Sequence, residues 1–206
     1  MHARSTTING DSGAIEAGIA YVRDEVMPML VQMPGCVGLS MMVDRADGRS
    51  IATTSWSSYD AMVASAANVS SARAKAAEIM GGTPVVDMWE IAVMHREHDA
   101  HEGSWCRATW LEMTPDKMDP LLDYYRTRVL TTLEDMHGFC SASMMIDRAS
   151  GRACSTARFA DHDALMASAA AARELRDTGA EDIGLRIVDV NAFELAIAHL
   201  RVPEHV

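Results

Sequence analysis

The chain writes one stretch twice. Residues 35–67 read GCVGLSMMVDRADGRSIATTSWSSYDAMVASAA, and residues 138–170 read GFCSASMMIDRASGRACSTARFADHDALMASAA. At a constant offset of 103 they align without a gap, and sixteen of the 33 positions are identical. The same offset places Tyr21 on Tyr124, Arg23 on Arg126 and Val26 on Val129. Solenoid repeats run at roughly 20–50 residues, so a period this long marks a duplicated domain, with each copy required to fold around its own core. The 206 residues therefore divide into domains 1–97 and 98–206, and the polar, unmatched run HREHDAHEG (95–103) reads as the connection.

Each copy carries the same succession of patterns. Residues 4–9 (RSTTIN) and Trp105 to Met113 suit first strands. Ile15, Ile19, Val22 and Val26 trace one face of a helix that Pro28 should kink or end. Leu121, Leu122, Tyr125, Val129 and Leu133 trace its counterpart, with Asp119 as cap and Pro120 as first helical residue. A β-hairpin follows, turning at Asp47-Gly48 and Ser150-Gly151. Ser58 and Asp161 then cap second helices, the first ending at Gly81-Gly82, and a last strand closes each unit. The order β-α-β-β-α-β is ferredoxin-like, an α+β fold.

Composition limits the function classes. A net charge of -11 without any basic run argues against a nucleic-acid partner or an anionic membrane surface. The N-terminal residues lack the apolar core of a signal peptide, and no run approaches the ~18 apolar residues of a membrane span, so a cytoplasmic protein is expected. Cys36, Cys106, Cys140 and Cys154 have no cysteine counterparts at the repeat offset and read as small buried hydrophobes. Steps of three in His95, His98 and His101 drift round a helix, so no metal site is expected there.

The element order, with PGCVG (34–38), the SW-SS-Y-DAM run (55–62) and WEIAV (89–93), resembles the antibiotic biosynthesis monooxygenase family of the dimeric α+β barrel superfamily. Members usually pair two such units, so the resemblance implies an internal pseudo-dimer in one chain, compatible with a homodimer of chains. It also implies cofactor-free oxygenation of a small apolar or aromatic molecule, or a non-catalytic binding or structural barrel. Haem degradation is the less favoured alternative, because the histidine expected on the second helix falls on Ser65. By the same resemblance Asn9 and Trp56 are the candidate catalytic residues. Met42, Trp56, Ser65, Tyr124 and Phe159 are the candidate ligand-binding residues, and no cofactor is expected. Trp56 and Phe159 read equally as core aromatics, and Asn9 as the start of an Asn-Gly turn. The working pocket is expected in the first half.

Overall fold

The computed structural model describes residues 1–98, 101–199 and 201–205; Asp99 and Ala100, in the expected connection, lie outside them. Elements recur at the offset of the sequence repeat. Strands β1 (His2–Asn9), β2 (Cys36–Asp44), β3 (Arg49–Trp56) and β4 (Thr83–Arg96) match β5 (Trp105–Glu112), β6 (Phe139–Asp147), β7 (Arg152–Phe159) and β8 (Arg186–His199). Helices α1 (Ile15–Tyr21), α2 (Met27–Leu30), α3 (Tyr59–Ala64) and α4 (Ala66–Met80) match α5 (Met118–Tyr124), α6 (Leu130–Glu134), α7 (His162–Ala167) and α8 (Ala169–Ile183). The fold is α+β, built from two ferredoxin-like βαββαβ copies. Hydrogen-bonded neighbours follow the order β1-β3-β2-β8-β5-β7-β6-β4, which closes into a barrel.

The first compact unit comprises Met1–Trp89 with Glu194–Val202, and the second Glu90–Phe193 with Pro203–Val206. The closing strands therefore do more than close their own copies. β4 and β8 are each 14 residues long, whereas β1 and β5 have 8, so half of each long strand needs another partner. Val43 of β2 pairs with Glu194, and Ile146 of β6 pairs with Glu90.

In the first unit, β1 and β3 run antiparallel from His2 opposite Trp56 to Asn9 opposite Arg49. Ile15, Leu30, Met41, Trp56, Met62 and Met80 anchor its core. In the second, Leu121, Tyr125, Leu130, Phe139, Met144 and Phe159 do so. The hairpin turns need Gly48 and Gly151 on two counts. Both have φ near +72° or +73°, and a Cβ would strike the carbonyl oxygens of Gly10 and Met113.

Three features of the helices bear on function. Pro28 does not end the first helix: Val22–Val26 form a π turn, closed by the Met27 N–H on the Val22 carbonyl, and α2 continues to Leu30. Tyr125–Val129 form the same π turn without proline, since Thr131 stands at the position equivalent to Pro28. Pro120 is also not the first helical residue. A 3₁₀ turn, Pro115–Lys117, leads into α5 from Met118, and Pro120 sits in the first turn, where its missing N–H costs no hydrogen bond. Finally, the second helix of each copy is capped as expected, by the Ser58 and Asp161 side chains, but it breaks after six residues at Ser65 and at Ser168.

Candidate functional site

Each unit holds a cleft between its helices and its sheet, and the two clefts use the same repeat positions. Arg4, Thr6, Val26, Leu30, Met41 and Arg73 line the first; Arg107, Thr109, Val129, Leu133, Met144 and Arg176 line the second. Counted out to the mouth, the empty space is about 600 Å³ in the first unit and about 630 Å³ in the second. Apolar walls with a few converging polar groups are the usual make-up of a small-molecule site. The π turns form part of both walls through Val22 and Val26, and through Tyr125 and Val129. Such turns are rare and recur at functional positions.

The helix breaks hold the first arginine of each cleft. At Ser65 the short helix α3 ends, leaving carbonyls without intrahelical partners and a partial negative charge. Arg4 Nη2 donates to the Met62 carbonyl, and Nη1 donates to Ser65 Oγ at 2.9 Å. Ser65 Oγ itself donates to that carbonyl at 2.7 Å. The second unit repeats the arrangement: Arg107 donates to Ser168 Oγ at 2.6 Å and to the Leu165 carbonyl at 2.7 Å. Arg4 is only 5% exposed. Burial lowers its pKa, and the nearby Arg73 charge lowers it further. Arg107 is lowered by the same causes, burial and then Arg176.

Among the described residues no carboxylate forms an ion pair with Arg4, Arg73 or Arg107. Burial also lowers Arg73 and Arg176, the latter offset by the adjacent Asp177 carboxylate.

Around this shared frame the clefts differ. The second places Tyr125 and Ser155 where the first has Val22 and Ala52. The Tyr125 hydroxyl donates to the Ser143 carbonyl at 3.1 Å and accepts from Ser155 Oγ at 3.1 Å. Its burial raises the phenol pKa. Tyr124 also lines this cleft, with its hydroxyl on the Leu175 carbonyl at 2.8 Å. Tyr21, its counterpart, instead has Lys75 Nζ 5.0 Å from its ring centre.

The two candidate catalytic residues are not brought together. Asn9 and Trp56 lie at opposite ends of the β1–β3 ladder, seven residues apart in register, or roughly 23 Å at 3.3 Å per residue. Asn9 is exposed, whereas Trp56 is fully buried with its indole N–H on Thr54 Oγ1 at 3.0 Å. A haem site of the kind implied by that pair is therefore not assembled. Met42 lies on the face of β2 opposite Met41 and outside the cleft, because side chains alternate along a strand. Phe159 is buried edge-on against Phe139, with the Arg107 guanidinium 5.9 Å from its ring centre. Ser65 touches the site only by holding Arg4, and Tyr124 lines the second cleft directly.

The four arginines escaped the sequence reading, although a signal existed. Arg4 and Arg107, and Arg73 and Arg176, stand at the repeat offset outside the densely matched stretch. The histidines of the connection do not converge. His95 instead meets Glu97 and Glu134, their ligand-type atoms all within 4.8 Å, without His98 or His101.

Known proteins bear on this geometry in two ways. No protein-family profile matches the chain. Two uncharacterized proteins of Mycobacterium tuberculosis are each 48% identical to it, over 204 and 205 residues, covering 99% of this chain and 91% and 87% of theirs. The chain belongs to the family of these mycobacterial proteins. A putative monooxygenase from Fusobacterium nucleatum superposes with a TM-score of 0.71 at 14% identity, covering 100% of this chain and 95% of that one. An anthrone oxidase-like protein does so at 0.68 and 10%, covering 95% and 91%. At these identities the match is one of fold, and the chain shares the α+β barrel fold of these monooxygenase-like proteins. Among the described residues no helix is long and apolar enough to cross a membrane.

Proposed function

We propose that this protein binds a small apolar or aromatic molecule in the second-unit cleft and oxygenates it without a cofactor. The observation that carries the reading is the Tyr125–Ser155 hydroxyl pair set among the apolar side chains of the second cleft. Such a wall excludes water from an electron-rich substrate, and two hydroxyls orient it. In the reaction expected for an anthrone-like methylene, the CH₂ carbon gains one oxygen atom as a carbonyl. The other oxygen atom leaves as water, and the methylene supplies both hydrogens and all four electrons that dioxygen takes up. On this reading residues 1–97 and 98–206 descend from one domain, and the chain works in the cytoplasm.

A second reading, binding without turnover, is favoured by the titratable groups of the cleft. They are arginines and tyrosines, and the tyrosines are pushed above their ordinary pKa by burial, so none is a base near neutral pH.

Oxygen uptake with anthrone separates these readings. Wild-type protein should consume oxygen, Ala172→Trp should stop it by filling the second cleft, and Val69→Trp in the first should not. Saturable anthrone binding without uptake would support the second reading, and uptake no faster than in buffer would overturn the first.

A further inference from the structure

We infer that each copy of the repeat carries its own oxyanion-recognition site, Arg4 with Arg73 and Arg107 with Arg176, and that the ligand is an organic anion. Its apolar body would lie in the cleft with its carboxylate or phenolate between the two guanidiniums. The inference rests on the proposed small-molecule role of the clefts and names the chemical class that they take.

Two observations converge on it. The first is the charge left over in the site. A buried charge is expensive unless paired, and the chain has acidic residues to spare, with 29 Asp and Glu against 18 Lys and Arg. Elsewhere it uses them: Arg45 is bound by Glu16 and Glu194, and Arg148 by Glu90 and Asp119. The cleft arginines, of which Arg4 is buried and Arg73, Arg107 and Arg176 are half-buried, are treated differently, Arg176 having the adjacent Asp177 as its nearby carboxylate. Arg4 and Arg107 are each held by one hydroxyl and one carbonyl, which orient a guanidinium without neutralising it. These bonds occupy two of five N–H donors on each guanidinium, leaving the rest for a ligand. A second cation stands close enough in each cleft to be felt electrostatically.

The second observation is repetition. Val22, Ala52 and Ala76 differ from Tyr125, Ser155 and Gly179, yet both arginines and the threonine beside the first of them, Thr6 or Thr109, are the same in both clefts. Ser65 and Ser168, which hold Arg4 and Arg107, are also the same. The walls share Val26, Leu30 and Met41 with Val129, Leu133 and Met144 and differ elsewhere, while the arginine-threonine frame is common to both, as expected when two sites keep one kind of headgroup and adapt to its body. Two guanidiniums present several donors to one planar carboxylate, the geometry in which charged hydrogen bonds are strongest.

The test is calorimetric titration with 2-naphthoate and with its uncharged methyl ester. Arg4 and Arg107 tie strands to helices, so the variants are Arg73→Met and Arg176→Met, on the half-buried faces of α4 and α8. Wild-type protein should bind two naphthoates per chain, and the ester about tenfold more weakly or worse. Each single variant should keep one naphthoate site, and the double variant should hold acid and ester alike. Ester binding as tight as acid binding, in wild type and variants, would overturn the anion inference and leave the apolar pocket standing. Equal loss of both ligands in the variants would show that the arginines only pack the site, which also overturns it. A single naphthoate per wild-type chain would remove the assignment from whichever cleft responds to no substitution. No binding of either compound would overturn the pocket reading itself.

Discussion

The first and second clefts are one design finished in two ways. Both keep an arginine on the first strand, tied to a broken helix by a serine, and a second arginine on the long helix. The first completes its wall with Val22, Ala52 and Met80, and Ser50 Oγ lies 3.1 Å from the Met80 sulfur. The second uses Tyr125, Ser155 and Leu175, bringing hydroxyls to the apolar surface. The fixed positions include both arginines and the threonine together with part of the apolar wall, Val26, Leu30 and Met41 matching Val129, Leu133 and Met144, while the changed ones alter the rest of the shape.

Substitutions can break this comparison, beginning with the largest effect. Trp56 and Phe159 are both 0% exposed at equivalent positions, so Trp56→Ala and Phe159→Ala should each cost about 3–5 kcal/mol in urea unfolding. If either costs little, the two cores are not equivalent and the symmetry fails at its centre.

Next comes Tyr125, which exists only in the second unit. Tyr125→Phe deletes two hydrogen bonds in a buried site and should cost about 1–3 kcal/mol. The same unit buries Cys106 where the first has Ala3, and burial pushes that thiol up to about 12 from 9.0. Both groups are neutral when folded, and their pKa values are raised above the unfolded ones. Their contribution is therefore complete below about pH 9; the Cys106 share is lost as pH rises from about 9 towards about 12, and the Tyr125 share from about pH 10 upward. Amide exchange across that range should open the second unit before the first, and Cys106→Ala with Tyr125→Phe should narrow the difference.

The smallest expected contrast lies at the caps. Ser58→Ala and Asp161→Ala each remove a side-chain acceptor from a helix N-terminus, at about 1 kcal/mol apiece by thermal unfolding. The aspartate loss should be larger by a few tenths, because a carboxylate also meets the positive end of the helix dipole. Equal or reversed costs would show that charge adds nothing at that cap.

Local chemistry explains why most elements were legible in the chain. The Gly48 and Gly151 turns, the Ser58 and Asp161 caps and the Gly81 stop depend on neighbours a few residues away. Backbone preference and short-range hydrogen bonds settle such features without help from the rest of the molecule. The internal repeat likewise needs only comparison of the chain with itself. Where a pattern depends on which residues meet, the reading failed. Asn9 and Trp56 match one site by resemblance, but strand register sets them at opposite ends of one ladder. Met41 and Met42 are neighbours in sequence, yet only Met41 faces the cleft.

By itself, then, the sequence determined the repeat, its elements and their hydrophobic faces, because these follow from periodicity and from short-range bonding. Only the tertiary structure decided that Arg4 meets Ser65 and shares a cleft with Arg73, as Arg107 does with Ser168 and Arg176. Those contacts span some sixty residues of chain, and strand register together with a break in a helix, not local preference, sets them.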